Sequence, residues 1–298
     1  MPGGRTTRTA TQGTGTTARS GEPPASRPRP RPAAACIVAV VSTSLQLPGP
    51  PRLFGRDRQL EDLDDAWTGG LHVVSIAAWG GVGKTALVHT WRNRLSVRTD
   101  RPELLFEWSF ASQGTRDRGA VSADDFLRAA LRFFGEVEFA GSGATSIEKA
   151  TRLAAVVGQH RALLVLDGLE ALQAPPHTLG ASCPLREPSI AHLVRSLAFD
   201  SRGLCIITTR EPIQDLEGFH HHHVRLLDLE MLDPEHGAEL LQSLLEDGPR
   251  PRPILSTSAE RIEISETVHG HALTLTLLGI YIRRALSDIR RWRAFDFQ

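Results

Sequence analysis

Residues 78–85 read AWGGVGKT, which is the pattern of a phosphate-binding loop. An apolar run at 73–77 precedes the loop and a helix-like run at 86–91 follows it, as the strand–loop–helix context of this motif requires. The glycines let backbone N–H groups turn toward phosphate oxygens, and the next helix adds its N-terminal dipole. Ala78 replaces the first glycine of the general motif, while the GGVGKT core is intact. The segment predicts an α/β fold with a nucleotide-phosphate site.

The composition of the chain supports a special role for one lysine. The sequence contains two lysines, Lys84 and Lys149, and otherwise uses arginine for positive charge. A compact ammonium on a flexible stem fits between phosphates, where a planar guanidinium substitutes poorly. We expect Lys84 to reach the β- and γ-phosphates and the Thr85 hydroxyl to ligate Mg²⁺. The loop residues predicted to bind the nucleotide are Gly80, Gly81, Val82, Gly83, Lys84, Thr85 and Ala86.

Two later apolar runs end in polar residues. Residues 163–167 read LLVLD, as expected of a buried parallel strand with Asp167 at its carboxyl end, where it is placed to hold Mg²⁺ directly or through water. Glu170 either orients or deprotonates an attacking water or simply begins a solvent-facing helix. Residues 206–210 read IITTR, and we expect the Thr208 and Thr209 hydroxyls to face the nucleotide and Arg210 to reach the γ-phosphate.

Strands and helices alternate along most of the chain, which indicates a parallel sheet covered by helices on both faces. The predicted strands are 71–77, 104–110, 162–167, 204–209 and 223–227. The predicted helices among them are 57–67, 84–96, 123–134, 147–159 and 189–199. Beyond residue 228 only helices are predicted, at 235–245, 259–268 and 273–286. The predicted fold is an α/β P-loop NTPase three-layer sandwich with a mostly parallel five-stranded sheet, followed by a small all-α lid.

These elements suggest three segments, a disordered Pro/Arg/Thr-rich tail at 1–52, a P-loop NTPase domain at 53–227 and a helical lid at 228–298. The formal net charge is zero, so no global field favours nucleic acid or a membrane. The apolar run at 33–41 is far shorter than the roughly 20 residues that span a bilayer. Three cysteines without a CxxC pair favour a reducing cytoplasm.

From Leu53 onward the chain resembles the STAND class of signal-transduction NTPases, whose nucleotide-binding modules include NB-ARC and NACHT. The matching segments, in the motif order of that class, are FGR at 54–56, AWGGVGKTALV at 78–88, WSFASQ at 108–113, LLVLDGLEAL at 163–172, CIITTR at 205–210 and GHALTL at 270–275. Glu170 follows Asp167 as in the NACHT pattern. Ala272 stands where the lid motif of the class has a proline.

The resemblance implies an ATP/ADP-binding switch that is reset by slow Mg²⁺-dependent hydrolysis. It implies that Phe54, Gly55 and Arg56 lie against the adenine and that His271 contributes to the nucleotide site from the lid. It further implies self-oligomerisation in the ATP state and effector and sensor modules of unknown kind. No winged helix or sensor repeats follow the lid motif, so the chain resembles the switch module alone. Two alternatives stay open: an AAA+ ATPase of the origin-recognition or DNA-remodelling type, and a small-molecule kinase.

Overall fold

The computed structural model describes residues 37–41, 52–110, 123–176, 181–219, 223–246, 256–285, 289 and 292. Within these ranges the strands are β1 (Ile37–Val41), β2 (Val73–Ala77), β3 (Leu104–Ser109), β4 (Ala162–Asp167), β5 (Leu204–Thr209) and β6 (Val224–Asp228). The helices of the same ranges are α1 (Asp57–Thr68), α2 (Lys84–Ser96), α3 (Ala123–Phe133), α4 (Val137–Gly141), α5 (Ser146–Gln159), α6 (Pro188–Phe199), α7 (Pro234–Glu246), α8 (Ser258–Thr267) and α9 (Ala272–Ala285). Short 3₁₀ turns at Leu169–Leu172 and Gln214–Phe219 follow β4 and β5.

The strands form one sheet in the order β1-β3-β4-β5-β2-β6, and every pair is parallel. The α/β class of the prediction is confirmed, and the five predicted strands are all present. The sheet has a sixth strand, however, because β1 pairs with β3 from within the segment expected to be disordered. The rest of that segment up to residue 51 lies outside the described residues. An apolar run such as 37–41 satisfies its backbone by joining a free sheet edge, even in a Pro/Arg-rich context.

The sheet is covered on both faces, which explains why its inner strands are apolar throughout. Leu163 and Val165 of β4 pack in one cluster with α1 and α2, whereas Leu164 and Leu166 pack in another with α3, α5 and α6. Successive side chains of a strand point to opposite faces, so the alternation follows from the geometry of β4 itself. The result is the three-layer arrangement expected from the sequence.

Helices α7, α8 and α9 bury a separate apolar core, in which Leu241, Ile264, Leu275 and Ile282 are fully buried. Thr257 begins α8 with a capping box, since its side chain accepts from the Glu260 N–H and the Glu260 carboxylate accepts from the Thr257 N–H. The predicted boundary between residues 227 and 228 falls at the end of β6. That these helices form a domain of their own stays a prediction. No helix within the described ranges is long and apolar enough to cross a membrane.

Helices α7, α8 and α9 form the helical unit, which contacts the segment after β6 at Gly270. The Leu232 N–H donates to the Gly270 carbonyl over 3.1 Å, and Gly270 has a φ of 66°. A Cβ at Gly270 would lie 1.8 Å from the Leu232 carbonyl oxygen, so no other residue fits without moving backbone. This close approach places the start of α9 next to the phosphate-binding loop.

We expect Gly270→Ala to lower the free energy of unfolding by about 2 kcal/mol or more, because it combines an unfavourable φ with a backbone clash. Urea denaturation would measure the change. Gly143→Ala is the matched control, since a Cβ at Gly143 meets nothing within 4 Å. Equal stability of the two variants would contradict the role assigned to Gly270.

Candidate functional site

The carboxyl ends of β2, β4 and β5 meet at one edge of the sheet, and the Asp167 carboxylate lies at their centre. Its Oδ1 accepts from the Thr208 hydroxyl at 2.6 Å and from the Thr85 hydroxyl at 2.9 Å. Its Oδ2 lies 3.5 Å from the Ser109 hydroxyl. Asp167 is 7% exposed, so these donors stabilise a nearly buried carboxylate. The network joins β3, β5 and the start of α2 to the end of β4.

The loop between β2 and α2 has a left-handed backbone conformation at two of its glycines. Gly81 and Gly83 have φ values of 82° and 107°, a region that other residues rarely adopt. Gly83 is the N-cap of α2, and its carbonyl accepts the first helical hydrogen bond from the Leu87 N–H at 2.9 Å. The unpaired N–H groups of the first turn therefore face the concave side of the loop, where an anion is stabilised.

Lys84 lies folded onto its own loop. Its Nζ donates to the Ala78 carbonyl at 2.5 Å and to the Trp79 carbonyl at 3.0 Å. Burial lowers the pKa of the Lys84 ammonium, and the nearby negative charge of Glu170 opposes that shift. The ammonium is thus held within the loop by neutral acceptors that a phosphate group can replace.

Glu170 and Arg210 face each other across the site from the turns that follow β4 and β5. The Arg210 Nε lies 3.3 Å from the Glu170 Oε1, and the Arg210 side chain is 63% exposed. The other carboxylate oxygen, Glu170 Oε2, is buried and has no hydrogen-bond partner among the described residues. A buried carboxyl oxygen without a partner is suited to accept a hydrogen bond from a further donor, such as a water molecule.

Three consecutive carbonyls of the loop are hydrogen-bonded by groups from distant parts of the chain. The Gly80 carbonyl lies 2.8 Å from His271 Nε2, which must therefore carry the proton. The Gly81 carbonyl accepts from the Leu273 N–H at 3.0 Å, and the Val82 carbonyl from Arg56 Nη2 at 3.3 Å. The first two donors belong to the start of α9, so the helical unit contacts the loop directly.

The structure places Arg56 beneath the loop. The same Nη2 that reaches Val82 also donates to the Glu230 carbonyl at 2.7 Å, in the segment between β6 and α7. Arg56 is 5% exposed, and burial lowers the pKa of its guanidinium. Before it, Gly55 has a φ of 61° and packs against the ring of His236. Contact of Phe54, Gly55 and Arg56 with an adenine stays a prediction, but Arg56 also has this structural role.

Thr209 differs from its prediction. Its hydroxyl was expected to face the nucleotide, but Thr209 is fully buried and donates to the Gln173 side-chain oxygen. The neighbouring Thr208 instead supplies the hydroxyl that bonds to Asp167. The reason is the pleat: adjacent side chains of β5 point to opposite faces, so only one of the two threonines can lie beside Asp167.

Four residues that shape the site were not singled out from the sequence, namely Ser109, Gln173, Asp233 and His236. Because side chains alternate along β5, Thr208 and Thr209 lie on opposite faces of the sheet. Only Thr208 can therefore bond to Asp167 at the end of the neighbouring strand. Ser109 and Gln173 carry no local signal, because their partners Asp167 and Thr209 are remote in sequence, whereas Asp233 and His236 are only three residues apart.

The oxygen donors at the centre of the site suit Mg²⁺. Thr85 Oγ1 and Asp167 Oδ1 lie 2.9 Å apart, and hydroxyl and carboxylate oxygens are hard ligands that this cation prefers. The described residues contain no group of three or more His, Cys, Asp or Glu side chains able to hold a metal. This agrees with the common arrangement in which Mg²⁺ takes one or two protein oxygens and completes its shell with phosphate and water.

Comparison with known proteins bears on the fold. No protein-family model and no curated protein matches the chain. Among solved structures, the chain is similar to the STAND protein with a tetratricopeptide repeat sensor from Pyrococcus horikoshii, at 19% identity and a TM-score of 0.49, over 76% of this chain and 30% of that one. It is also similar to a Walker-type ATPase of Pyrococcus abyssi, at 15% identity and a TM-score of 0.50, over 81% of this chain and 71% of that one. The chain has the fold of a P-loop ATPase.

Arg56→Met is expected to lower the free energy of unfolding by about 1–3 kcal/mol, because the Val82 and Glu230 carbonyls both lose their charged donor. Urea denaturation of the variant beside Arg58→Met, which changes an exposed residue of α1, would test this. The control should stay within about 0.5 kcal/mol of the parent. A loss of the same size in both variants would show that the two carbonyl contacts contribute nothing specific.

The His236–Asp233 pair should make stability depend on pH. His236 Nδ1 lies 2.6 Å from Asp233 Oδ2, and this hydrogen bond raises the pKa of His236, with Glu239 and Asp57 adding to the effect. A raised pKa in the folded state gives stability that is complete below the ordinary histidine pKa of 6.5 and is lost as the pH rises above it. His236→Gln and Asp233→Asn should each flatten this decline, which unfolding curves from about pH 5.5 to about pH 8.5 would record. A decline that persists unchanged in both variants would refute the assignment.

Proposed function

We propose that this chain is an ATP/ADP-binding molecular switch of the STAND type, reset by slow Mg²⁺-dependent ATP hydrolysis. The observation that carries the proposal is the set of bonds to the Gly80, Gly81 and Val82 carbonyls. They connect the phosphate-binding loop to the start of α9 and, through Arg56, to the segment that leads into α7. A ligand that repositions the loop would therefore change the free energy of the contacts between the loop and α9. A nucleotide switch requires such coupling.

The proposed nucleotide contacts follow from the geometry of the loop. The N–H groups of residues 80–86 and the first turn of α2 would hold the phosphates, with Lys84 exchanging the Ala78 and Trp79 carbonyls for phosphate oxygens. Phe54, Gly55 and Arg56 would lie along the adenine, with His271 and Thr209 near the site. His271 contacts the loop carbonyl already, whereas Thr209 would act through Gln173.

Four residues would serve the γ-phosphate end. Thr85 and Asp167 would hold Mg²⁺, which supplies neutralisation of phosphate charge when bound. Glu170 would accept a hydrogen bond from the attacking water at its unpaired Oε2 and take up its proton. Arg210 would contact the γ-phosphate and stabilise the charge that develops there.

The difference between ATP and ADP supplies the switch. A γ-phosphate competes with Glu170 for Arg210, whereas ADP leaves the Arg210–Glu170 pair intact. Only such a contact, present with one nucleotide and absent with the other, shifts a conformational equilibrium. A change from 1:99 to 99:1 needs about 5.5 kcal/mol of differential binding.

The remaining parts of the proposal come from the resemblance to the STAND class. They are self-association in the ATP state and unknown effector and sensor modules, while the proposed cytoplasmic location comes from the three cysteines without a CxxC pair. The chain spans 30% of the length of the Pyrococcus horikoshii STAND protein to which it is similar. The oligomer and the attached modules are therefore proposed for whatever larger assembly contains this unit.

Lys84→Ala is expected to abolish the stabilisation by Mg-ATP, because the variant lacks the cation that reaches the β- and γ-phosphates. For the parent chain, ATP at a hundred times its dissociation constant should add about 2.7 kcal/mol to stability. Thermal unfolding with and without nucleotide measures this shift. Arg94→Ala, an exposed residue on the same helix, should retain the full shift.

An ATP-induced shift that survives in Lys84→Ala would count against the proposed phosphate contact. Absence of any shift with ATP or ADP in the parent would overturn nucleotide binding as a whole. Duplex DNA binding that falls steeply with salt would favour the AAA+ alternative instead.

A further inference from the structure

The side-chain amide of Gln173 lies where three segments of the chain meet. It follows the turn that carries Glu170, and it is 6% exposed. Around it lie residues 183–185, through a bridge between Gln173 and Leu185, and residues 209–213, through a bridge between Cys183 and Ile213. The proposed function uses Gln173 only as the partner of Thr209, and the other hydrogen bonds of this buried amide call for an explanation.

Gln173 hydrogen-bonds on both sides of Arg210. Its Oε1 accepts from the Thr209 hydroxyl, and its Nε2 donates to the Glu211 carbonyl at 3.1 Å and the Pro212 carbonyl at 3.3 Å. A longer contact of 3.4 Å reaches the Cys183 carbonyl. One side chain therefore holds the Thr209 side chain immediately before Arg210 and the backbone carbonyls immediately after it.

The same residue is bonded to the Glu170 turn. The Gln173 N–H donates to the Glu170 carbonyl at 3.2 Å, closing the 3₁₀ turn on which that carboxylate stands. The Arg210 side chain is 63% exposed, and an ion pair with so exposed a guanidinium, such as the one with Glu170, adds little rigidity. The direction in which the guanidinium leaves the sheet is thus set by the backbone that Gln173 holds.

We propose that Gln173 is a positioning residue that sets the placement of Arg210 relative to Glu170 and thereby the preference of the site for ATP over ADP. The inference rests on the proposed function. ADP is held by the N–H groups of the loop and by Lys84, which Gln173 does not touch. ATP adds a γ-phosphate whose contact with Arg210 depends on angle and distance, as charge-assisted hydrogen bonds do.

The test compares Gln173→Met with the parent chain. Methionine keeps the length and apolar stem of the side chain and removes all four hydrogen bonds. We expect the dissociation constant for a non-hydrolysable ATP analogue with Mg²⁺ to rise about tenfold, the effect of weakening one charge-assisted contact, while that for ADP stays within about twofold. Gln242→Met, at a surface glutamine of α7 bonded to Glu246, is the matched control and should change neither constant.

A double-mutant cycle separates positioning from a merely structural role. If Gln173 acts through Arg210, Gln173→Met should change neither dissociation constant further in the background of Arg210→Ala, because the contact it directs is already lost. Equal weakening of ADP and the ATP analogue, or a tenfold loss that persists without Arg210, would overturn the inference. A parent chain that binds neither nucleotide would instead overturn the proposed function, and the inference with it.

A second variant keeps the test decisive if Gln173→Met does not fold. Thr209→Val is nearly isosteric and removes one hydroxyl, the donor to Gln173 Oε1. It should show the same selective loss of the ATP analogue, in a protein whose circular dichroism matches the parent. Unchanged selectivity in folded Thr209→Val would count against the positioning role.

Discussion

The Asp167 carboxylate is the interaction on which the rest of the site depends. Because it accepts from Thr85 and Thr208 and lies beside Ser109, it fixes the start of α2 against the ends of three neighbouring strands. A carboxylate this deeply buried is stable only while its donors stay in place. The phosphate-binding loop connects β2 to α2, so the Asp167 network also fixes the position of the loop.

A second set of contacts acts on the loop from the opposite side. The donors from Arg56, His271 and Leu273 bind the loop through its carbonyls and leave the N–H groups to face the site. The backbone carbonyls of Gly80, Gly81 and Val82 are thereby bonded to other parts of the protein, while the N–H groups of the same loop face the site where a ligand would bind. In the proposed switch, this division would let helix α9 respond to a bound phosphate through the loop carbonyls.

The sequence predicts the regular parts of this molecule closely, because each of them has a local cause. Helix α2 and the strands β4 and β5 have the bounds expected from apolar runs bracketed by glycine, aspartate or arginine. The phosphate-binding loop at 78–85 and the acidic residues Asp167 and Glu170 were likewise recognisable in the sequence, since the chemistry of phosphate and Mg²⁺ restricts their residue types. The residues of a single element were therefore enough to predict where that helix or strand begins and ends.

What the sequence could not predict depends on several segments at once. β1 pairs only because the edge of β3 is free, and nothing within residues 37–41 distinguishes that run from a short apolar stretch in a tail. Gln173 reads as an ordinary residue after a motif until residues 183–185 and 209–213 converge on it. The expectation that both threonine hydroxyls of β5 face the nucleotide did not consider the strand pleat, which turns Thr208 toward Asp167 and Thr209 toward Gln173.

The pairing of β2 also bears on how the chain is made. Val73 is opposite Cys205 on one side and Val224 on the other, so the strand that leads into the phosphate-binding loop waits for partners synthesised much later. Such non-local parallel pairing is slow, and it leaves apolar edges open during translation. The sheet that supports the phosphate-binding loop can therefore be completed only after residue 228, the end of β6, has been synthesised.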